Sequence, residues 1–122
     1  MIMHICVGTR DLGKAGRFYD ALAAVLGNQR SATTDRAIYY TSSGVGIAFA
    51  VTLLFDGNPA TFGNGTMATI GATDRDQVAA LHAAALANGG SDEGAPGLRD
   101  NGHFVAYWRD PDGNKMNAVA LS

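Results

Sequence analysis

A chain of 122 residues with 47% hydrophobic and 16% charged side chains has the size and balance of one globular domain, which excludes a disordered segment. Its net charge of -2 and the lack of any Lys/Arg run argue against a nucleic-acid or anionic-membrane surface. No stretch reaches the ~18 apolar residues of a membrane span, Met1 to Gly8 lacks the features of a signal peptide, and a single cysteine, Cys6, rules out an intrachain disulfide, so a cytoplasmic domain is expected.

In chain order, Ile2 to Gly8 reads as a short β-branched strand with Ile2, His4 and Cys6 on one face and Met3, Ile5 and Val7 on the other. Asp11 is a good N-cap for a helix whose apolar stripe is Leu12, Ala15, Tyr19, Leu22 and Leu26, with Gly27 as its natural end. Ala37 to Thr41 and Ile47 to Leu54 are strand-like, with Ser42, Ser43 and Gly44 as a turn between them, and a strand between Gly27 and Ala37 is weakly signalled. Residues 55–66 are rich in Gly, Asn and Pro and read as a linker. The pattern then restarts. Met67 to Ala72 is a strand, and Asp74 caps a second helix with Gln77 placed as in a capping box. Val78, Leu81 and Ala85 form its stripe, Gly89 and Gly90 end it, and His82 reads as helix surface. Phe104 to Arg109 and Lys115 to Leu121 are strands joined by the turn Asp110-Pro111-Asp112-Gly113.

The second half repeats the first. Under one constant shift His4 falls on Met67, Gly8 on Gly71, Asp11 on Asp74 and Gly27 on Gly90. After a small insertion, Ser43-Gly44 falls on Asp112-Gly113 and Ala48 on Asn117. The order of the whole pattern carries the repeat more than its few identities. The expected fold is α+β: two tandem βαβββ modules, about residues 1–54 and 67–122, forming curved mixed sheets around a central cleft. The cleft is expected to be lined by the side of each sheet that does not pack on a helix.

The opening His4-Ile5-Cys6-Val7-Gly8 with Asp11-Leu12 and Phe18-Tyr19, the restart at Gly63-Asn64-Gly65-Thr66, Ala87-Asn88-Gly89-Gly90, and Arg109-Asp110-Pro111-Asp112-Gly113-Asn114-Lys115 together resemble the vicinal-oxygen-chelate superfamily of glyoxalases, bleomycin-resistance proteins and extradiol dioxygenases. The resemblance implies a divalent metal held between the modules, which chelates two adjacent substrate oxygens as a Lewis acid. It also implies four ligand positions, which here are His4, Ala48, Met67 and Asn117. Only His4 keeps the expected type. A thioether, an amide and a methyl group suit Zn, Ni, Fe or Mn poorly, so no tight hard-metal site is expected from one chain, though a divalent metal stays open. A soft Cu(I) site from His4, Cys6 and Met67 is conceivable, but nothing else in the sequence points to copper.

Candidate ligand-binding residues are His4, Met67, Asn117, His103 and Tyr107. His4 reads as a pocket residue, and Met67 as a filler of irregular apolar space. Asn117 is either a ligand contact or a satisfied core amide. His103 either reaches the cleft mouth or sits exposed on a loop, and Cys6 is read first as a small buried thiol. Arg99 and either Tyr107 or Trp108 could touch a ligand; which of the two faces the cleft depends on a one-residue register. There is no G-x-S-x-G, P-loop, G-x-G-x-x-G, C-x-x-C or H-E-x-x-H. Two functions follow. One is a binding protein with a degraded metal site that holds a small organic molecule. The other is a metal-dependent lyase or dioxygenase of glyoxalase type with a reorganised or dimer-completed site, the homodimer being suggested by the resemblance. A protein-interaction module has no positive feature.

Overall fold

The computed structural model describes residues 1–41 and 47–121. The first half forms β1 (His4–Gly8), α1 (Leu12–Val25), β2 (Arg30–Thr33), β3 (Ala37–Tyr40) and β4 (Ala48–Thr52). The second forms β5 (Ala68–Ala72), α2 (Arg75–Ala87), β6 (Ser91–Leu98), β7 (Phe104–Arg109) and β8 (Lys115–Ala120). Each half makes a four-stranded sheet, ordered β1-β4-β3-β2 and β5-β8-β7-β6. The first strand runs parallel to the last and the other pairs are antiparallel. Such a mixed sheet follows from the chain order. A parallel neighbour needs a long crossover, which the helix begins, while adjacent strands close as hairpins. The architecture is the expected pair of βαβββ modules.

Both helices begin where the sequence places them. The Asp11 side chain accepts from the Lys14 amide and the Asp74 side chain from the Gln77 amide, at 3.0 and 2.9 Å, which satisfies amides that have no partner inside the helix. Gln77 accepts from the Thr73 amide at 2.8 Å, one residue beyond the N-cap amide that a regular capping box engages. The helices pack against each other and each covers its own sheet. Phe18, Tyr19, Leu22, Ile38, Val51, Val78, Leu81, Trp108 and Met116 share one core.

The β7–β8 turn ties the modules together. Asp110 is 3% exposed and accepts from the amides of Asp112 and Asn114 at Oδ1, and from the Asn114 amide group and the Tyr19 hydroxyl at Oδ2. Asn114 also donates to the Gly8 carbonyl at 2.9 Å, and Asp112 accepts from the Thr9 hydroxyl and the Arg10 amide. The Asp-Pro-Asp-Gly segment is thus a turn whose carboxylates also fasten the β1–α1 corner of the other module.

Several sequence expectations change. The weakly signalled strand is present as β2. β6 had no sequence signal, because Asp92-Glu93-Gly94-Ala95-Pro96-Gly97 carries no alternating apolar pattern. It forms as an edge strand with irregular register at Gly94 and Gly97, where a proline is tolerated. β1 starts at His4, and Ile2 and Met3 are 60% and 81% exposed. His82 is not helix surface: it is 8% exposed, with its ring edge-on to Trp108 and Nε2 2.9 Å from Asp92 Oδ1. Cys6 is exposed rather than buried, because β1 is an edge strand and Cys6 faces away from α1. The predicted Ser42–Gly44 turn lies outside the described residues.

Candidate functional site

Strand alternation gives each sheet a face away from the helices. In the first module the register pairs His4 with Ala48 and Cys6 with Ala50, and Ala50 with Tyr39. The His4 ring stacks on Tyr39 with centroids 5.8 Å apart and planes 30° apart. In the second module Thr69 pairs with Asn117 and Asn117 with Tyr107. Trp108 points the other way, into the core at 0% exposed, so Tyr107 is the one on the outer face. The register also refines the repeat. Cys6 matches Thr69 under the shift that places His4 on Met67, so Asn117 corresponds to Ala50, not Ala48. Either way the first module contributes an alanine methyl at that place.

The residues singled out from sequence form two local sets. His4, Tyr39 and Ala48 belong to one sheet, and Asn117 and Tyr107 to the other. Met67 lies just before β5 and is 44% exposed. His103 is exposed before β7, beside Arg75 and Leu121 in a shallow groove, with its amide donating to Asn101. Among the described residues no three His, Cys, Asp or Glu side chains come together as metal donors. One imidazole, one thioether and one amide do not meet the charge or ligand demand of a hard divalent ion, so the residues at the family's ligand positions do not fit that metal.

An apolar groove of about 320 Å³ opens between the edge strands β1 and β5. α1 supplies Tyr19, Leu22 and Ala23, and Leu26 caps its end; Phe49 and Met116 come from the sheets; Ile5, Ile47 and Ala68 to Gly71 form the sides. The groove exists because β1 and β5 are each at the edge of a sheet, so the modules meet through their helices and leave a gap between strands. Of the residues singled out as ligand or metal positions, Ala48 alone lines it. Sequence reasoning read Tyr19, Leu22 and Leu26 as a core stripe, and periodicity cannot separate a stripe facing core from one that also floors a groove.

The chemistry of this groove is sparse. Its described lining contains no His, Cys, Asp, Glu, Lys or Arg. Burial, reinforced by Asp110, pushes the Tyr19 hydroxyl well above the usual phenol range, and burial followed by the Asp20 hydrogen bond raises Tyr40. Both hydroxyls are committed to carboxylates, Tyr19 to Asp110 and Tyr40 to Asp20 at 2.8 Å. Asp20 is in turn held by two 2.9 Å bonds from Arg30, which keep its carboxyl below the usual range. Asn28, Thr41 and Thr69 are the remaining polar side chains. Such a lining can bind and orient a molecule but offers no poised general base.

The model of the Glyoxalase/Bleomycin resistance protein/Dioxygenase superfamily matches residues 1–117. No curated protein matches the chain. Among solved structures, a glyoxalase/bleomycin resistance protein from Albidiferax ferrireducens T118 is 39% identical, with a TM-score of 0.92 over 100% of this chain and 99% of that one. A glyoxalase-related enzyme from Fulvimarina pelagi is 22% identical, with a TM-score of 0.80 over 98% and 87%. A lactoylglutathione lyase from Agrobacterium tumefaciens is 18% identical, with a TM-score of 0.68 over 99% and 93%. The last two are similar in fold alone.

Proposed function

The chain belongs to the Glyoxalase/Bleomycin resistance protein/Dioxygenase superfamily, and we propose that within it the protein binds a small organic molecule without a metal centre of its own. The observation that carries this reading is the groove between β1 and β5. At about 320 Å³ it is at the small end of ligand pockets, which are apolar with a few polar groups. Among the described residues its lining has no metal donor set and no free acid or base. The metal-dependent lyase reading needs ligands that Ala48, Met67 and Asn117 do not supply.

A second copy is part of the same reading. Ile5 and Ile47 on the groove's sides are 36% and 51% exposed, and the flanking Met3 and Met67 are 81% and 44% exposed. Apolar side chains along two unpaired strand edges invite a partner. A homodimer that covers these edges would close the groove over its ligand. Light scattering on the native protein and on Ile47→Asp tests it: a dimer reduced to monomer by the substitution supports the reading, and a native monomer removes this part of it.

The binding itself is tested by a thermal-shift screen of small aromatic and aliphatic molecules, repeated on Ala68→Phe, which fills the groove. A ligand that binds only the folded state raises its melting temperature. Hits that vanish in the filled variant are expected, and hits that persist unchanged would place binding elsewhere.

A further inference from the structure

An asparagine or aspartate followed by glycine is a weak point of a peptide chain, because the glycine nitrogen has no Cβ beside it to hinder attack on the preceding side chain. The chain holds five such pairs: Asp56-Gly57, Asn64-Gly65, Asn88-Gly89, Asn101-Gly102 and Asp112-Gly113. The fold occupies four of them. The Gly57 amide donates to the Leu54 carbonyl at 3.1 Å, the Gly102 amide to that of Arg99 at 2.9 Å and the Gly113 amide to that of Asp110 at 3.0 Å. Asn101 Oδ1 also accepts from the His103 amide at 3.0 Å. Asn88 is half-buried at the end of α2, and its carboxamide nitrogen donates to the Ala84 carbonyl at 2.7 Å. Asn64-Gly65 differs. Both residues are exposed in the turn before β5, and a Cβ on Gly65 would meet nothing within 4 Å. Among the described residues neither the Asn64 side chain nor the Gly65 amide has a hydrogen-bond partner.

We propose that Asn64 is a site of spontaneous deamidation, singled out from the other Asn-Gly pairs by the fold. The Gly65 nitrogen gives its proton to hydroxide and attacks Cγ of Asn64. A bond forms between that nitrogen and Cγ, the bond from Cγ to Nδ2 breaks, and Nδ2 leaves as ammonia with a proton taken from water. Water then opens the five-membered imide. Addition at Cγ leaves an ordinary aspartate at position 64. Addition at the main-chain carbonyl carbon leaves an isoaspartyl link, in which the chain runs through the former side chain. No oxidant, metal or cofactor enters the balance. Either product adds one negative charge to a chain whose net charge is -2. The change falls in the linker between the modules, shortly before Ala68, where β5 begins along the groove.

The test ages the native protein in mildly alkaline buffer at physiological temperature, folded and in urea. A brief digestion with trypsin separates the three Asn-Gly pairs into residues 37–75, 76–99 and 100–109, and mass spectrometry follows the exchange of ammonia for water in each peptide. In the folded protein Asn64 is expected to convert about tenfold or more faster than Asn88 or Asn101, the weight of a hydrogen bond that must first break. In urea the three should convert at similar rates. The product should contain both aspartyl and isoaspartyl peptides, the first identified by the same peptide from Asn64→Asp. Conversion should vanish from residues 37–75 in Asn64→Gln, where the ring would need a sixth member. Conversion of Asn88 or Asn101 as fast as Asn64 in the folded protein, an Asn64 lead equally large in urea, or a product free of isoaspartate overturns the proposal.

Discussion

The Tyr19 hydroxyl, on the first module's helix, donates at 2.5 Å to Oδ2 of Asp110 in the second module's hairpin turn, and both residues are at most 3% exposed. This bond joins the two halves of the repeat across the core. It also occupies the one hydroxyl that the α1 side of the groove could offer a ligand. Tyr19→Phe keeps the ring against Phe49 and Phe18 and removes only the donor. Leaving a buried carboxylate one partner short costs about 1–3 kcal/mol. Urea unfolding is expected to show that loss with an unchanged slope, and an unaltered midpoint would mean that the turn's own amides suffice for Asp110.

Alkaline stability follows from the same tyrosine and from Tyr40. Folding raises both pKa values, Tyr19 through burial and Asp110, Tyr40 through burial and Asp20. A group raised on folding contributes stability that is whole below its ordinary value, near 10 for tyrosine, and is lost as the pH climbs through the raised one. The melting temperature is therefore expected to fall steadily above about pH 10, with part of the tyrosinate absorbance appearing only as the chain unfolds. If all tyrosinate absorbance develops while circular dichroism still reports a folded chain, the buried hydrogen bonds are absent in solution.

Gly90 ends the α2 segment where no side chain fits. A Cβ there would lie 2.7 Å from the carbonyl oxygens of Ala85 and Arg109 and 2.9 Å from the Phe18 ring. Two of the three neighbours are backbone and cannot step aside, so Gly90→Ala should cost about 1–3 kcal/mol by overpacking. Gly27, which follows the α1 C-cap Leu26 as Gly89 follows the α2 C-cap Asn88, has φ +73° and open space around it. Gly27→Ala should cost about 1 kcal/mol from conformation alone. Thermal unfolding of the two variants separates crowding from conformation, and equal shifts would contradict it.

The frame of this fold was legible where a local rule acts alone. Asp11 and Asp74 had to be caps, the Asp110–Gly113 segment had to turn, and the recurrence of strand, cap, helix and glycine had to pair two modules. What escaped depends on the distant chain. β6 is written in glycine, proline and acids, and it pairs only because β7 offers an edge. His82 follows Leu81 by one position, so its helix alone places it at the stripe's margin, and Trp108 with Asp92 draws it inward. The choice between Tyr107 and Trp108 needed the strand register. The groove was invisible because its lining is ordinary core composition.

Binding of an organic molecule without a metal centre is tested most directly by metal titration. Protein prepared under metal-sparing conditions is titrated with Ni(II), Zn(II), Mn(II) and Fe(II), and stoichiometry and melting temperature are followed beside His4→Ala. The residues at His4, Met67, Asn117 and Ala48 predict no one-per-chain site and no difference between the two proteins. A stoichiometric site that raises the melting temperature and disappears in His4→Ala would contradict that account and assign the cleft to metal-assisted chemistry.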